Sequence, residues 1–292
     1  MQYQDRDWEV VDYQGYSLPN IPELKLRGIQ PESLEKGQYF VCIGAAQTFG
    51  CFCEKPYPTL LQEKLNLPCI NLGRGGAGPS LFLENDRLLE YINQAKFAIV
   101  QVMSGRSESN SLFDSKGHEY LTRRSDGVRI GAGPAYQELL EKKDKSYIKD
   151  LIAETRNNWM VNCQKLLEKI EVPKILFWFS TREPFYIEKY TNVSSLFGRY
   201  PQLINLKMIQ KIKKYSDEYV ECISGRGMPQ LMISRFTYKP INIDLMREDL
   251  RRFHGSKHLY NRYYPSPEMQ IDAASVLEKY CKKYLNNTNT IK

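Results

Sequence analysis

Five short segments of this chain are almost unbrokenly apolar or β-branched, and stretches of helical period separate them. They are Tyr39–Ala45, Cys69–Leu72, Phe97–Met103, Ile175–Phe179 and Tyr219–Ile223. A strand with one wet face alternates polar and apolar residues; a strand covered on both faces does not. Between these runs, Pro58 opens PTLLQEKLN, a proline suited to a helix start. SLFLENDRLLEYINQ, residues 80–94, sets leucines and aromatics at helical spacing behind Ser80 as a cap. Helical patterns also cover 135–170, 201–215 and 266–285. The last has Ser266 as cap, Pro267 at the first helical position and Glu268 in the first turn. Strand–helix–strand alternation predicts βαβ units. The expected fold is α/β, in three α/β/α layers, around five parallel strands.

No linker-like stretch divides the 292 residues, so one domain is expected over 38–286. Residues 1–37, broken by Pro19, Pro22 and Pro31, read as an extended arm packed on it and compatible with a role in dimerisation, and 287–292 as a frayed tail. Residues 104–134, 181–200 and 224–262 read as long loops after the third, fourth and fifth strands. That end of a parallel sheet is where α/β proteins place ligands. No apolar run approaches the roughly 20 residues of a membrane span. The opening MQYQDRDWEVV has neither the basic nor the apolar region of a secretory signal, so a cytoplasmic setting is expected. Seven cysteines, an odd number in a long chain, argue against a secreted disulfide scaffold. Cys51 and Cys53 form a C-x-C without a second pair at ligand spacing, and no metal site is expected. The net charge of +7 is spread along the chain without a basic block, which disfavours nucleic acid as a partner and suits a small anion.

The arginines sharpen that point. Arg74 follows the second strand, Arg106 the third, Arg182 the fourth and Arg226 the fifth. Three lie in a Ser-x-Arg pattern, beginning at Ser104, Ser180 and Ser224. In a parallel sheet all four would share one edge, where close positive charges repel unless an anion sits among them. Guanidinium forks and glycine-rich loops both suit phosphate, sulfate or carboxylate. The alternative is an internal network in which Glu108 and Glu183 pair with Arg106 and Arg182.

GAAQTFG, followed by YPTLLQEKLN and CINLGRGGAG, resembles the opening of the SGNH/GDSL hydrolase superfamily. There a Gly-Asp-Ser-x-Thr-Phe-Gly block precedes a helix, and Asn-x-Gly-x-x-Gly follows the next strand. NRYYPSPEMQIDAA resembles the closing Asp-x-x-His-Pro-Ser block. More narrowly, RGMPQLMISRF with NRYYPSPEM is similar to an uncharacterised bacterial family of SGNH-like proteins, over most of 35–285. The resemblance implies an SGNH- or flavodoxin-like fold with the ligand around Gly44, Gln47, Thr48, Gly73 and Gly76. It also exposes departures. Ala45 and Ala46 stand where the superfamily has Asp and the nucleophilic Ser, and Asn261 and Tyr264 where it has the closing Asp and His. Gly76 matches the oxyanion glycine, and Ser107 or Asn110 stands in for the third-block Asn. An acyl-enzyme cycle needs an oxygen nucleophile and a base. Ala46 cannot attack, and a tyrosine with a pKa near 10 is a poor base at neutral pH.

The substitutes offered by the sequence are Thr48 as nucleophile, His258 as base ahead of His118 and His254, and Glu108 or Glu183 as a base at a strand end. With Arg74, Arg106, Arg182, Arg226, Ser104, Asn110 and Tyr264 as ligand contacts, the expected activity is group transfer from an anionic donor. The donor would be a sulfated adenine nucleotide or an acyl-coenzyme A, since GAAQ is similar to a turn in SGNH-like capsule-biosynthesis proteins that bind coenzyme A. The acceptor would be a hydroxyl, with polysaccharides as candidates. Two rivals remain: an SGNH-like hydrolase with displaced catalytic residues, and a non-catalytic binding or assembly protein.

Overall fold

A computed structural model of the chain describes residues 3–243 and 258–285. The chain opens with a one-turn helix, α1 (Tyr3–Asp7), and the strands β1 (Gly15–Leu18) and β2 (Ile21–Arg27). The core alternation follows: β3 (Phe40–Gly44), α2 (Ala46–Phe49), α3 (Tyr57–Leu65), β4 (Cys69–Gly73), α4 (Pro79–Leu83), α5 (Asp86–Gln94) and β5 (Ala98–Gln101). A small antiparallel sheet, β6 (Phe113–Asp114), β7 (Tyr120–Arg123) and β8 (Arg129–Gly131), precedes α6 (Ala132–Lys142) and α7 (Lys145–Lys169). Then come β9 (Lys174–Ser180), α8 (Val193–Phe197), α9 (Leu206–Ile212), β10 (Glu218–Ile223), β11 (Gln230–Leu231), β12 (Tyr260–Asn261) and α10 (Pro267–Leu285).

The main sheet runs β1-β2-β4-β3-β5-β9-β10. The five strands expected from the sequence are its parallel part, with Val41 of β3 opposite Ile70 of β4 and Ala98 of β5. All five residues of β3 and of β4 are buried, as uninterrupted apolar runs require. One face packs Val41, Ile43, Val100 and Trp178 against α5 and α7. The other packs Cys42, Ile99 and Phe177 against α3 and α10. This is the three-layer α/β/α fold.

The expected arm at 1–37 enters the sheet: β1 and β2 pair antiparallel, and Arg27 of β2 pairs with Asn71 of β4. The stretch 80–94 is two helices, with Asn85 capping the second by accepting from the Leu88 N–H at 3.1 Å. Ser80, read as a cap, lies inside α4. The long pattern at 135–170 also divides, where Asp144 caps α7 by accepting from the Tyr147 N–H. Ser266 caps α10 as read, accepting from the Met269 N–H. No helix among the described residues is long and apolar enough to cross a membrane. All seven cysteines are buried.

Candidate active site

The chain order within the parallel strands turns back on itself at β3, with β4 on one side and β5 on the other, and ligands in open α/β sheets bind beyond the strand ends at such a point. The loop leaving β3 is held there from every direction. The Thr48 hydroxyl donates to Gln101 Oε1 at 2.6 Å and meets the Tyr57 hydroxyl at 3.0 Å. The same Gln101 oxygen accepts from the Ala45 N–H, and Gln101 Nε2 donates to the Tyr200 hydroxyl. Asn71 donates to the Thr48 carbonyl and accepts from the Gly73 N–H. Gln270 of α10 donates to the Gln47 carbonyl. From the sheet edge, the Arg27 guanidinium donates to the carbonyls of Phe49, Gly50, Cys53 and Glu54. Burial pulls the Arg27 pKa down, opposed by the weaker pull of Tyr13, Cys51, Cys53 and Asp7. Gly44 and Gly73 permit this closeness: a Cβ on Gly73 would lie 2.2 Å from the Phe49 backbone nitrogen.

Beside this loop is a cavity of about 40 Å³, room for a few waters or one acetyl-sized group. Ala45, Ala46 and Gln47 line it from α2, Gly76 and Ala77 from the loop after β4, and Ser104, Arg106 and Ser107 from the turn after β5. Glu119, Tyr200, Tyr263 and Tyr264 complete it. Arg106 donates to Glu119 at 2.5 Å and, at 3.4 Å, to the Tyr263 hydroxyl, which also accepts from Gln202. Glu119 covers Gly76, where an added Cβ would meet its Cγ at 2.6 Å. The Tyr264 hydroxyl accepts from Arg6 of α1 at 3.2 Å, and burial raises its pKa. Around this cavity the hydrogen-bond account does not close. Among the described residues, Ser107 Oγ, Arg106 Nε, Gln47 Oε1 and Gln202 Oε1 are buried without a partner. Such atoms cost stability unless something else, a ligand or a water, meets them.

A family model described as "Domain of unknown function (DUF6473)" matches residues 1–118 and 137–251. The chain belongs to this family. No curated protein matches it. Among solved structures it is similar to a gut microbial diltiazem-metabolizing enzyme, at 12% identity and a TM-score of 0.42 over 86% of this chain and 48% of that one. It thus spans about half the length of that enzyme. It is also similar to a G-D-S-L-family lipolytic protein from Desulfitobacterium hafniense DCB-2, at 11% identity and a TM-score of 0.39 over 85% of this chain and 99% of that one. An acetylxylan esterase from Geobacillus stearothermophilus matches at 10% identity and a TM-score of 0.37, over 86% of this chain and 95% of that one.

The transferase expected from the sequence is corrected. The arginine rim that motivated an anionic donor does not form. Of the four arginines only Arg106 lines the cavity. Arg182 donates to the carbonyls of Glu183, Arg199, Pro201 and Ile204 and packs on Trp178. Arg226 pairs with Asp272 on α10 at 2.6 Å. Arg74 is half-buried outside the lining, and burial lowers its pKa. Among the described residues, a sulfated adenine nucleotide or coenzyme A therefore has no cluster of these arginines to hold it at this cavity.

The other candidates sort the same way. Gln47, Gly76, Ser104 and Tyr264 line the cavity; Gly44, Thr48 and Gly73 frame it. Thr48 is buried with both hydroxyl partners in place, which removes it as a nucleophile. Asn110 donates to Tyr136 and Thr155 and accepts from the Leu112 and Phe113 N–H groups, away from the cavity. Of the two residues offered for the third-block Asn, Ser107 lines the cavity and Asn110 does not. Glu108 points into the interior, accepting from Asn162 at 2.8 Å, and burial pushes its pKa up to about 7. Glu183 is exposed. His258 forms a backbone bridge with Ile243 outside the lining, and His118 sits beside Glu119 with its pKa lowered by burial and then by Arg74 and Arg129. His254 lies outside the described residues. Sequence reasoning missed Glu119, Tyr200 and Tyr263. Nothing local marks Glu119, which reaches the cavity only because β6 and β7 fold the chain back on itself.

Proposed function

We propose that the chain is an SGNH-like hydrolase of small acyl esters whose catalytic groups have moved from the loop after β3 to the segment after β5. The observation that carries the reading is Ser107: a buried hydroxyl without a partner among the described residues, in a cavity that also holds a carboxylate, Glu119. Ser107 Oγ attacks the ester carbonyl carbon while its proton passes to Glu119. The bond to the alcohol oxygen then breaks, and the alcohol leaves with that proton. Water attacks the acyl-serine, returning Ser107 and releasing the carboxylic acid. Arg106 fixes the Glu119 carboxylate, and the Gly76 backbone lies where the superfamily it resembles binds the oxyanion. A carboxylate held by arginine is a weaker base than histidine, so turnover is slow. The volume of the cavity favours an acetyl-sized acyl group. An odd number of cysteines in a long chain supports a reducing, cytoplasmic setting.

Ala46 favours a second reading, in which the same cavity binds a short carboxylate or acyl group without turnover. Hydrolysis of p-nitrophenyl acetate decides between them. The hydrolase reading expects turnover that falls at least a hundredfold in Ser107→Ala and tenfold or more in Glu119→Gln, with an acetylated chain visible by intact mass in the wild type. Turnover unchanged in Ser107→Ala overturns it. No turnover, together with acetate-dependent thermal stabilisation lost in Arg106→Ala, establishes the binding reading instead.

A further inference from the structure

A second cavity, of about 500 Å³, opens between the small β6–β8 sheet, α6 and the start of α7. It is unconnected to the reading above: no residue lines both cavities. Its inner wall is apolar, from Phe113 and Ala135, each 2% exposed, with the half-buried Leu112 and Leu139. Its rim is cationic, from Arg123, Arg124, Lys142 and Lys143. Glu138 is the one carboxylate in the lining, and it is shared by Arg123 at 2.7 Å and Lys142 at 2.8 Å. Arg123 also reaches Asp126. The remaining two cations have no carboxylate among the described residues. Arg124 is tethered through Nε to the Asn110 carbonyl at 3.1 Å, which leaves both Nη groups for another acceptor. Lys143 lies over the Tyr147 ring, 5.4 Å from its centroid.

The size falls within the roughly 300–1,000 Å³ of small-molecule sites, which combine an apolar lining with a few placed polar groups. Apolar walls closed at one end by an excess of cations are complementary to one kind of occupant. The geometry points to a binding site for an anionic amphiphile: an acyl or aryl tail against Phe113, Leu112 and Leu139, and a carboxylate or phosphate head between Arg124 and Lys143. Arg's planar fork takes such a head in two hydrogen bonds, and Lys adds a point charge. Arg123, Arg124 and Ala135 fall at 119–136, between the two stretches that the family model matches.

The test is calorimetric titration of the full chain, below micelle concentrations, with decanoate, decyl phosphate, decanol and acetate. Decanoate or decyl phosphate is expected to bind one to one, whichever is tighter naming the head group, and decanol and acetate at least tenfold more weakly. Arg124→Glu with Lys143→Glu should weaken the amphiphile at least tenfold, and Leu139→Trp should block it, while Ser107→Ala leaves it unchanged. Circular dichroism of each variant checks that it folds. Absence of saturable binding, equal affinity for decanol, or affinity indifferent to the charge reversals overturns the site. Loss of binding in Ser107→Ala assigns it to the first cavity and overturns the second as well. None of these outcomes bears on ester hydrolysis.

Discussion

The loop after β3 and the segment after β5 line the same cavity and differ in one respect. In the first, the polar groups that shape the turn are answered, with the Gln47 side-chain oxygen the exception among the described residues: Thr48 by Gln101 and Tyr57, four carbonyls by Arg27, the Gln47 carbonyl by Gln270. Yet Ala46 stands where the superfamily that this loop resembles has its nucleophilic Ser. In the second, Ser107 Oγ and Arg106 Nε are buried and unanswered among the described residues, and Glu119 arrives from a hairpin. A fold keeps the scaffold of a site through hydrogen bonds that serve packing, so a conserved shape is poor evidence of conserved chemistry. Where bonds stay open inside a folded chain, a ligand has room to complete them.

The comparison breaks first if the β3 loop proves tolerant. Gly73→Ala puts a Cβ 2.2 Å from a backbone nitrogen, and a loss of about 4 kcal/mol is expected in urea unfolding. A wild-type midpoint would mean that the loop is looser than drawn. Arg27→Met strips the donor from four carbonyls and should cost about 3 kcal/mol, without selective loss of activity in the molecules that remain folded. Glu108 probes the interior behind the second segment. Its pKa is raised by burial from 4.5 to about 7, so between those pH values the folded chain holds a proton that the unfolded chain releases. Its stabilising contribution is therefore complete below about pH 4.5 and is lost as pH rises through about 7, with a ceiling on the order of 3 kcal/mol. Unfolding followed across that window should show the decline, and Glu108→Gln should flatten it; parallel curves for the two proteins would place the carboxylate in water. The smallest effect is expected at Arg226→Ala, which touches only Asp272 and α10: hydrolysis and ligand affinity within twofold of wild type. A larger change would restore the shared arginine rim.

How much of this the residues disclosed depended on whether the deciding contact is local. The five parallel strands were legible because burial on both faces leaves unbroken apolar runs, and the α10 cap because Ser266, Pro267 and Glu268 are adjacent. The pair β1 and β2 was hidden, since β1 is a four-residue edge strand and Pro22 near the start of β2 makes that run read as a loop. The arginines misled because position along a loop says nothing about partners. Asp272 is 46 residues from Arg226, and Arg182 is satisfied by carbonyls that any residue could carry. Glu119 is 13 residues from Arg106, and only the hairpin decides that they meet.

The seven thiols have a practical consequence. Every one is shut away, and burial pushes Cys53 and Cys222 up to about 12. Thiolate, the form that reacts with a dye, is therefore scarce as well as unreachable while the chain is intact. Labelling then counts molecules that have come apart, and each molecule that does so reports with a sevenfold signal of its own.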